Sequence, residues 1–410
     1  MRWRTVLNSG AKGPSSVLTL DNQFPDLPKE VVFCRNCVTS NQRPRIRFNQ
    51  DGVCSACEYA HEKDHVIDWS ARERELQQLC DQHRRKDGYY DVIVPGSGGK
   101  DSAFVAHQLK ERYGMHPLCV TWAPFEHTDV GWQNLQAFVR SGFPNVMAMP
   151  GGVVHRKLCR LSFELVGDPF LPFIFGQKAY AYHVALQHGV KLMFYGENGE
   201  AEYGGSERYK YMPKEGPEEW EAQYFKGASV DALFRAGVER GVFAPDEITP
   251  EALWWYKPPH PDRIMATGLE MHWMSYYQRW VPQENFYYAA THTGFVPNNE
   301  GRSEGTYTRH SSLDDKVDGF HYYLGFIKFG LGRTTRDCMT DIYRGHLTRE
   351  EAVRLVRRFD GEFPARHYRH FMDYLGISDE QFWAVIDTYR ELSNVWEKHG
   401  DEWRLKVQVS

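Results

Sequence analysis

The stretch from Tyr90 to Ser102, Tyr-Asp-Val-Ile-Val-Pro-Gly-Ser-Gly-Gly-Lys-Asp-Ser, constrains this chain more than any other. Val92, Ile93 and Val94 read as a short strand buried on both faces, as parallel strands are. Four small residues follow, Gly96, Ser97, Gly98 and Gly99, and a helical pattern then runs from Ser102 to about Arg112. A strand, a glycine turn and a helix N-terminus together make an anion site. Glycine lets the backbone come close, and the unpaired N–H groups of the first helical turn point at a phosphate.

The spelling narrows the site. A Walker A loop demands Gly-x-x-x-x-Gly-Lys-Ser/Thr. Here the residue five before Gly99 is Val94, and Lys100 is followed by Asp101. That excludes a P-loop NTPase. The run Ser97-Gly-Gly-Lys-Asp-Ser102 matches a Ser-Gly-Gly-x-Asp-Ser signature instead, and by it the chain resembles the PP-loop ATP pyrophosphatases. The resemblance implies an ATP cut between its α and β phosphates, with AMP left on a substrate oxygen and pyrophosphate released. It makes Gly96, Ser97, Gly98, Gly99, Lys100, Asp101 and Ser102 the nucleotide-binding residues.

Strands at 91–95, 116–121, 145–149 and 191–195 alternate with helices near 102–113, 129–141, 153–165 and 175–188. This alternation predicts an α/β fold, an open, doubly wound parallel sheet over residues 61–205, and the resemblance implies that it is of the PP-loop/HUP-like kind. Ligands of such sheets bind beyond the carboxyl ends of the strands. After 116–121 come Trp122 and Phe125. In PP-loop folds that strand end holds adenine, so Trp122 is a candidate wall for the base; core packing explains it equally well. After 191–195 comes Gly196-Glu-Asn-Gly-Glu200. Glu197, Asn198 and Glu200 at a strand tip suit Mg²⁺ and phosphate, and they also suit a surface turn.

Charge is nearly balanced, 49 basic against 54 acidic side chains. This gives no electrostatic footing for nucleic acid. No apolar run approaches the length of a membrane helix, and the start Met1-Arg-Trp-Arg-Thr-Val-Leu7 lacks a signal-peptide apolar region. The expectation is a cytoplasmic protein with neither a nucleic-acid nor a membrane partner. The cysteines are not a disulfide framework. Four form two Cys-x-x-Cys pairs, Cys34 with Cys37 and Cys54 with Cys57. That is the spacing of a tetrahedral four-cysteine zinc site made of two knuckles, structural because four thiolates leave no open position; an iron–sulfur cluster or a chance spacing is the alternative. Cys80, Cys119, Cys159 and Cys338 stand alone, and buried core thiols are expected for them.

Around these features, residues 1–30 read as an irregular arm and 31–60 as the zinc ribbon, with Asp51-Gly52 as a hairpin turn. A polar helix from about Trp69 to Arg85 leads into the sheet. From about 205 to 300 the periodicity weakens and Trp and Pro are frequent. This reads as an insertion that shapes a substrate pocket, inside a region 206–340 that completes the site. Asp314, Asp315, Lys316, His321, Lys328 and Arg333 stud a stretch that otherwise reads as core, and with Arg309 and His310 they are candidate substrate groups. A solvated helix face is the alternative. In 341–410, Thr348-x-x-Glu351 and Ser378-x-x-Gln381 read as helix starts and Gly361 as a stop. These C-terminal helices are expected to cover the sheet or to form a homo-oligomer contact.

Four segments together resemble one PP-loop family, the N-acetyl sugar amidotransferases of surface-polysaccharide and flagellar sugar synthesis (WbpG/PseA type). They are 33–38 with 52–57, 96–102, 195–200, and 312–323 with 327–330. The loop marks only the superfamily; the ribbon and the last run make the likeness family-specific. The resemblance implies conversion of a sugar's acetamido group into an acetamidino group. An amide oxygen is a very poor leaving group. Its attack on the α-phosphate of ATP would give an O-adenylyl imidate, from which AMP leaves when ammonia adds. Lys100 and the loop N–H groups would hold the departing pyrophosphate, Mg²⁺ would neutralise the developing charge, and Asp101, Glu197 or Glu200 would carry the metal. The candidate catalytic set is therefore Lys100, Asp101, Glu197, Asn198 and Glu200. Both sugars suggested by the resemblance, a nucleotide-linked diacetamido uronic acid and a nonulosonic acid, are acidic. Arg302, Arg309, Lys328 and Arg333 are the cations offered to a carboxylate or diphosphate.

A glutaminase with an N-terminal nucleophile needs Cys after Met1, where Arg2 stands, and a triad glutaminase needs a Gly-x-Cys-x-Gly elbow that none of the lone cysteines has. A separate glutaminase is expected to deliver ammonia. The resemblance implies partners like the histidine-pathway glutaminase and its ammonia-channelling barrel subunit. The main rival is a PP-loop tRNA-modifying enzyme that replaces a base oxygen with sulfur. It calls for a reactive cysteine pair near the loop and a basic surface, and the sequence offers neither. A nucleotide sensor that binds ATP without cutting it is the other rival.

Overall fold

The computed structural model describes residues 19–220 and 224–410. Residues 1–18 of the expected arm lie outside the described residues. Thr19 to Asp21 lie along the sheet domain, where Leu20 N–H donates to the Leu165 carbonyl at 2.7 Å. The cysteine module folds as two small antiparallel turns, with bridges between Phe33 and Ser40 and between Phe48 and Cys54. Gly52 turns the second one in the left-handed region (φ +74°), and α1 (Ser55–His65) begins directly after Cys54.

A strand without polar alternation buries both faces. β1 (Val92–Pro95), β2 (Pro117–Trp122) and β4 (Leu192–Tyr195) do so along their whole length. With β3 (Asn145–Ala148) and β5 (Glu270–Trp273) they form one parallel sheet in the order β3-β2-β1-β4-β5. Successive side chains point to opposite faces. Ile93, Val120 and Met193 enter one core with α5 (Gly152–Val166) and α6 (Leu171–His188). Val92, Val94, Leu192 and Phe194 enter a second core with α2 (Trp69–His83), α3 (Lys100–His107) and the helix Pro282–His292. The chain steps outward from β1 through β2 to β3, then returns past β1 to β4. The crevice between the tips of β1 and β4 is therefore the topological switch point, where such sheets bind ligands.

Two elements depart from the sequence expectation. β5 falls in the 205–300 segment that reads as patternless. Its Glu270-Met-His-Trp273 spelling hides a core strand because two polar residues break the apolar run, and the buried His272 is satisfied by its near neighbours, Tyr277 Oη at 2.8 Å and Glu270 at 3.1 Å. The C-terminal region is helical but ends in a two-stranded antiparallel hairpin, β6 (Trp396–His399) and β7 (Glu402–Leu405). Its charged, exposed strands carry no apolar signal. Helix bounds also shift. α3 starts at Lys100 and continues as a π-helical turn over Gln108–Arg112. α6 starts at Leu171, with Pro172 in its first turn, where a missing N–H costs nothing.

The helices Asp318–Phe329, Tyr368–Leu375 and Asp379–Leu392 share a core with Cys159 and Phe163 of α5. The helices Arg333–Tyr343 and Arg349–Phe359 share another with the four-cysteine module. Thr348 with Glu351 and Ser378 with Gln381 form reciprocal capping boxes, each worth about 1 kcal/mol. Among the described residues no helix is long and apolar enough to cross a membrane.

Candidate active site

A cavity of about 550 Å³ opens at the carboxyl ends of the strands, lined by residues that follow β1, β2 and β4 and by Trp273 of β5. Its floor is the turn after β1. The Gly96 N–H donates to the Val120 carbonyl at 2.9 Å, and Thr121 Oγ1 donates to the Gly96 carbonyl at 2.6 Å, which pins the turn to β2. Gly98 has φ +79°, and a Cβ there would stand 2.8 Å from Leu135 Cα. No other residue fits that position without strain. Gly99 caps α3 without a side-chain partner for its first N–H groups, so the positive helix end faces the cavity. Lys100 is buried and reaches Asp101 at 2.5 Å. Burial opposes ionisation of Asp101, but Lys100 beside it and the Asn285 amide at 3.1 Å hold its carboxyl below the usual range.

The opposite wall comes from residues 311–318. Thr128 N–H donates to the Asp314 carbonyl at 3.1 Å, and Lys316 N–H donates to the Glu126 carbonyl at 2.9 Å. A Cβ on Gly131 would lie 2.7 Å from Asp314 Cα, so the missing side chain is what lets the helix Asp129–Arg140 approach. Ser97 Oγ donates to Asp314. Burial pushes the Asp314 carboxyl up to about 6, against the pull of the Ser97 hydrogen bond. Burial lifts Asp315 further, to about 8, with the Asp318 and Asp314 charges adding to it. His310 stacks on Phe286 and is pushed down to about 4 by burial and then by the Lys100 charge.

The remaining candidates divide by environment. Glu197 lines the cavity and accepts from Arg336 at 2.6 Å and Tyr203 Oη at 2.8 Å. Asn198 points its Oδ1 at the Glu200 and Ala201 N–H groups and caps a single helical turn. Glu200 is buried and clasped by Arg45 at 2.8 and 2.9 Å and by the Ser206 N–H at 2.9 Å. Trp122 lines the cavity, its ring seated where a Cβ of Gly176 would be. Arg333 lines it too, bonded to Asp337, Ser311 and Tyr322. Lys316 faces Glu126 at 3.6 Å. Arg309 turns away to the Asn298 carbonyl at 2.8 Å. His321 bonds Asp168 at 2.8 Å, and Lys328 is sealed against Asp21; both line an adjoining cavity of about 230 Å³ that shares Arg43, Glu200 and Arg336 with the large one. A smaller one of about 160 Å³ meets Lys100 and Asp101 from the side of Arg336, Asp337 and Asp341.

The cysteine module is a candidate metal centre. The sulfurs of Cys34, Cys37, Cys54 and Cys57 lie within 4.8 Å of one another. Cys34 and Cys57 are 3.8 Å apart, and Cys37 and Cys54 are 3.6 Å apart. A tetrahedron with metal–sulfur bonds of about 2.3 Å has edges of about 3.8 Å, so the four buried thiols fit a structural metal such as zinc. Cys80, Cys119, Cys159 and Cys338 are buried.

A sequence model described as the C-terminal domain of LPS biosynthesis protein WbpG-like matches residues 304–409. The chain carries a WbpG-like C-terminal domain. This bears out the WbpG/PseA-type resemblance and supports a biosynthetic role in polysaccharide formation; the PP-loop superfamily is a separate matter. An uncharacterized protein of Methanocaldococcus jannaschii is 28% identical over 88 residues, covering 21% of this chain and 31% of that protein. The chain thus spans about a third of the length of that relative. The WbpG-like domain supplies one wall of the cavity, from Ser311 to Arg336, and the parallel sheet supplies the other.

Sequence reasoning passed over several lining residues. Arg336 sits one turn from Arg333, a spacing that could have drawn it in. Lys178 lies inside α6 among Phe175, Ala179, Tyr180 and Ala181, and a lone lysine in an apolar helix was the available signal. Arg43 gave none, and neither did Asn285, which lies behind the lining and holds Asp101.

Proposed function

We propose that this protein is an ATP-dependent, AMP-forming amidotransferase that turns the acetamido group of a sugar into an acetamidino group during surface-polysaccharide synthesis. One observation carries the reading: the Gly96–Ser102 turn and the open end of α3 face, across one cavity, the polar wall of a WbpG-like domain. The turn's N–H groups and Lys100 hold the outer phosphates of ATP. The acetamide oxygen attacks the α-phosphorus and pyrophosphate leaves. Ammonia adds to the imidate carbon, the C–O bond to AMP breaks, and a proton is lost to give the amidine. Charge leaving with pyrophosphate is met by groups already in place, which is the cheapest way to stabilise it. A divalent ion arriving with the nucleotide would neutralise phosphate charge, and Asp101, which ends the turn, and Asp314, which Ser97 touches, are the cavity carboxylates nearest to it. Zinc in the four-cysteine module is structural, and a separate glutaminase supplies the ammonia. No cysteine lines the cavity among the described residues, which favours nitrogen over sulfur transfer.

Mass spectrometry of acetamido sugars incubated with ATP, Mg²⁺ and ammonium tests this. The expected product has exchanged O for NH, with AMP and pyrophosphate formed in equal amounts. Formation of ADP, or AMP without a changed sugar, overturns the reading.

A further inference from the structure

Among the described residues five cations line the large cavity, and four of them face a carboxylate within 4.0 Å: Arg43 with Glu200, Lys100 with Asp101, Arg333 with Asp337 and Arg336 with Glu197. The fifth, Lys178, faces none among the described residues. It is 5% exposed, and its Nζ has no hydrogen-bond partner among them. Four rings stand around that nitrogen, Tyr224 at 3.9 Å, Trp220 at 4.9 Å, and Tyr195 and Trp273 at 5.2 Å each. Aromatic faces attract an ammonium, but they accept no strong hydrogen bond from it. A buried ammonium without acceptors is costly. Burial pulls Lys178 down to about 8, and the nearby Glu215 opposes this only in part. Glu215 Oε2 accepts from Tyr224 Oη at 3.1 Å, its Oε1 has no partner among the described residues, no ion pair within 4.0 Å joins it to Lys178, and its own charge is disfavoured by burial.

We propose that Lys178 is a specificity-determining residue whose ammonium pairs with a carboxylate carried by the acetamido sugar. This rests on the sugar reading above. A single point charge walled by rings matches one carboxylate better than a diphosphate, which needs several donors. The ring walls also suit the C–H faces of a pyranose. The cations that the sequence offers for this task are already satisfied, Arg302 by Glu362, Arg309 by a carbonyl, Lys328 by Asp21 and Arg333 by Asp337.

Isothermal titration calorimetry without ATP tests the pairing. The probes are UDP-N-acetylglucosaminuronic acid against UDP-N-acetylglucosamine, and N-acetylneuraminic acid against its methyl ester. For one acidic probe the wild type should bind about tenfold to hundredfold tighter than to the neutral counterpart, the size of one charge-assisted hydrogen bond. The pair that shows the difference identifies the carboxylate as uronate or ulosonate. Lys178→Met should erase the preference and Lys178→Arg should keep part of it. Methionine fills similar volume without a charge, so that variant should melt at or above the wild-type temperature, which separates loss of the anchor from loss of the fold. Equal binding of acidic and neutral probes, no binding of either acid, or a preference that survives in Lys178→Met overturns the inference. None of these readouts involves AMP, so the amidine chemistry stands or falls by its own experiment.

Discussion

The cysteine module and the cavity are both polar groups withdrawn from water, but one is closed on itself and the other is open. In the module every sulfur faces another, the Asn36 and Cys54 N–H groups point at Cys34 Sγ, and Arg349 takes the carbonyls of Cys34 and Cys37. In the cavity the indole nitrogens of Trp122 and Trp273 and the Lys178 ammonium have no partner among the described residues, and two carboxyls are pushed toward neutrality. Folding alone rewards the first arrangement and penalises the second. Unpaired groups gathered at one place are what a ligand would complete. The helix Arg333–Tyr343 joins the two regions, with Cys338, Met339 and Tyr343 against the module and Arg333 and Arg336 in the cavity.

The largest effect should come from opening the closed region. Cys34→Ser, or treatment with a strong chelator, should remove bound zinc and with it on the order of 10 kcal/mol of the module's folding free energy. Loss of zinc by elemental analysis together with loss of the main thermal transition is the expected result. An unchanged melting curve would mean that the thiols are ordinary core groups. Next in size, Lys100→Ala should lower kcat by about a hundredfold to a thousandfold, as removal of one preorganised charge-stabilising donor does, with a melting shift much smaller than that of Cys34→Ser because Asn285 still holds the Asp101 carboxylate left behind. Comparable losses of stability and rate would erase the distinction between the two regions.

Glu200 tests where the boundary runs. Its place at the tip of β4 reads as a metal ligand in the sequence, yet Arg45 from the cysteine module clasps both its oxygens. Glu200→Gln should therefore destabilise by about 1–3 kcal/mol while kcat stays within about tenfold of wild type. A collapse of kcat at unchanged melting temperature would return it to the open side.

What was legible in the sequence is what depends on short spacing. The Gly96–Ser102 turn, the two Cys-x-x-Cys pairs and the two capping boxes each need only neighbours within a few positions. Groups whose meaning depends on distant partners were misweighted. Lys328 and His321 stand out in an apolar run, but Asp21 and Asp168 answer them from far along the chain. His272 hides β5 for a more local reason, since it puts a polar ring in a core strand that Tyr277, at the next turn of the chain, satisfies. Lys178 gives only the faint signal of a lone lysine in an apolar helix, because nothing local shows that no anion among the described residues meets it.

The smallest effect is the most specific to the open region. The Asp315 carboxyl is raised to about 8 in the fold by burial, against about 3.9 for an unperturbed aspartate. Between these values the folded chain binds more proton than the unfolded chain, so this group's contribution to stability declines as pH rises through that window. Asp315→Asn keeps an acceptor for the Val317 N–H, which Oδ1 takes at 2.8 Å, and it removes the titration. The stability of the variant relative to wild type should then grow with pH, by up to about 1.4 kcal/mol between about pH 6 and pH 7. Urea unfolding at the two pH values measures it. A constant difference would show that Asp315 is ionised and compensated throughout, and that this wall of the cavity is as closed as the cysteine module.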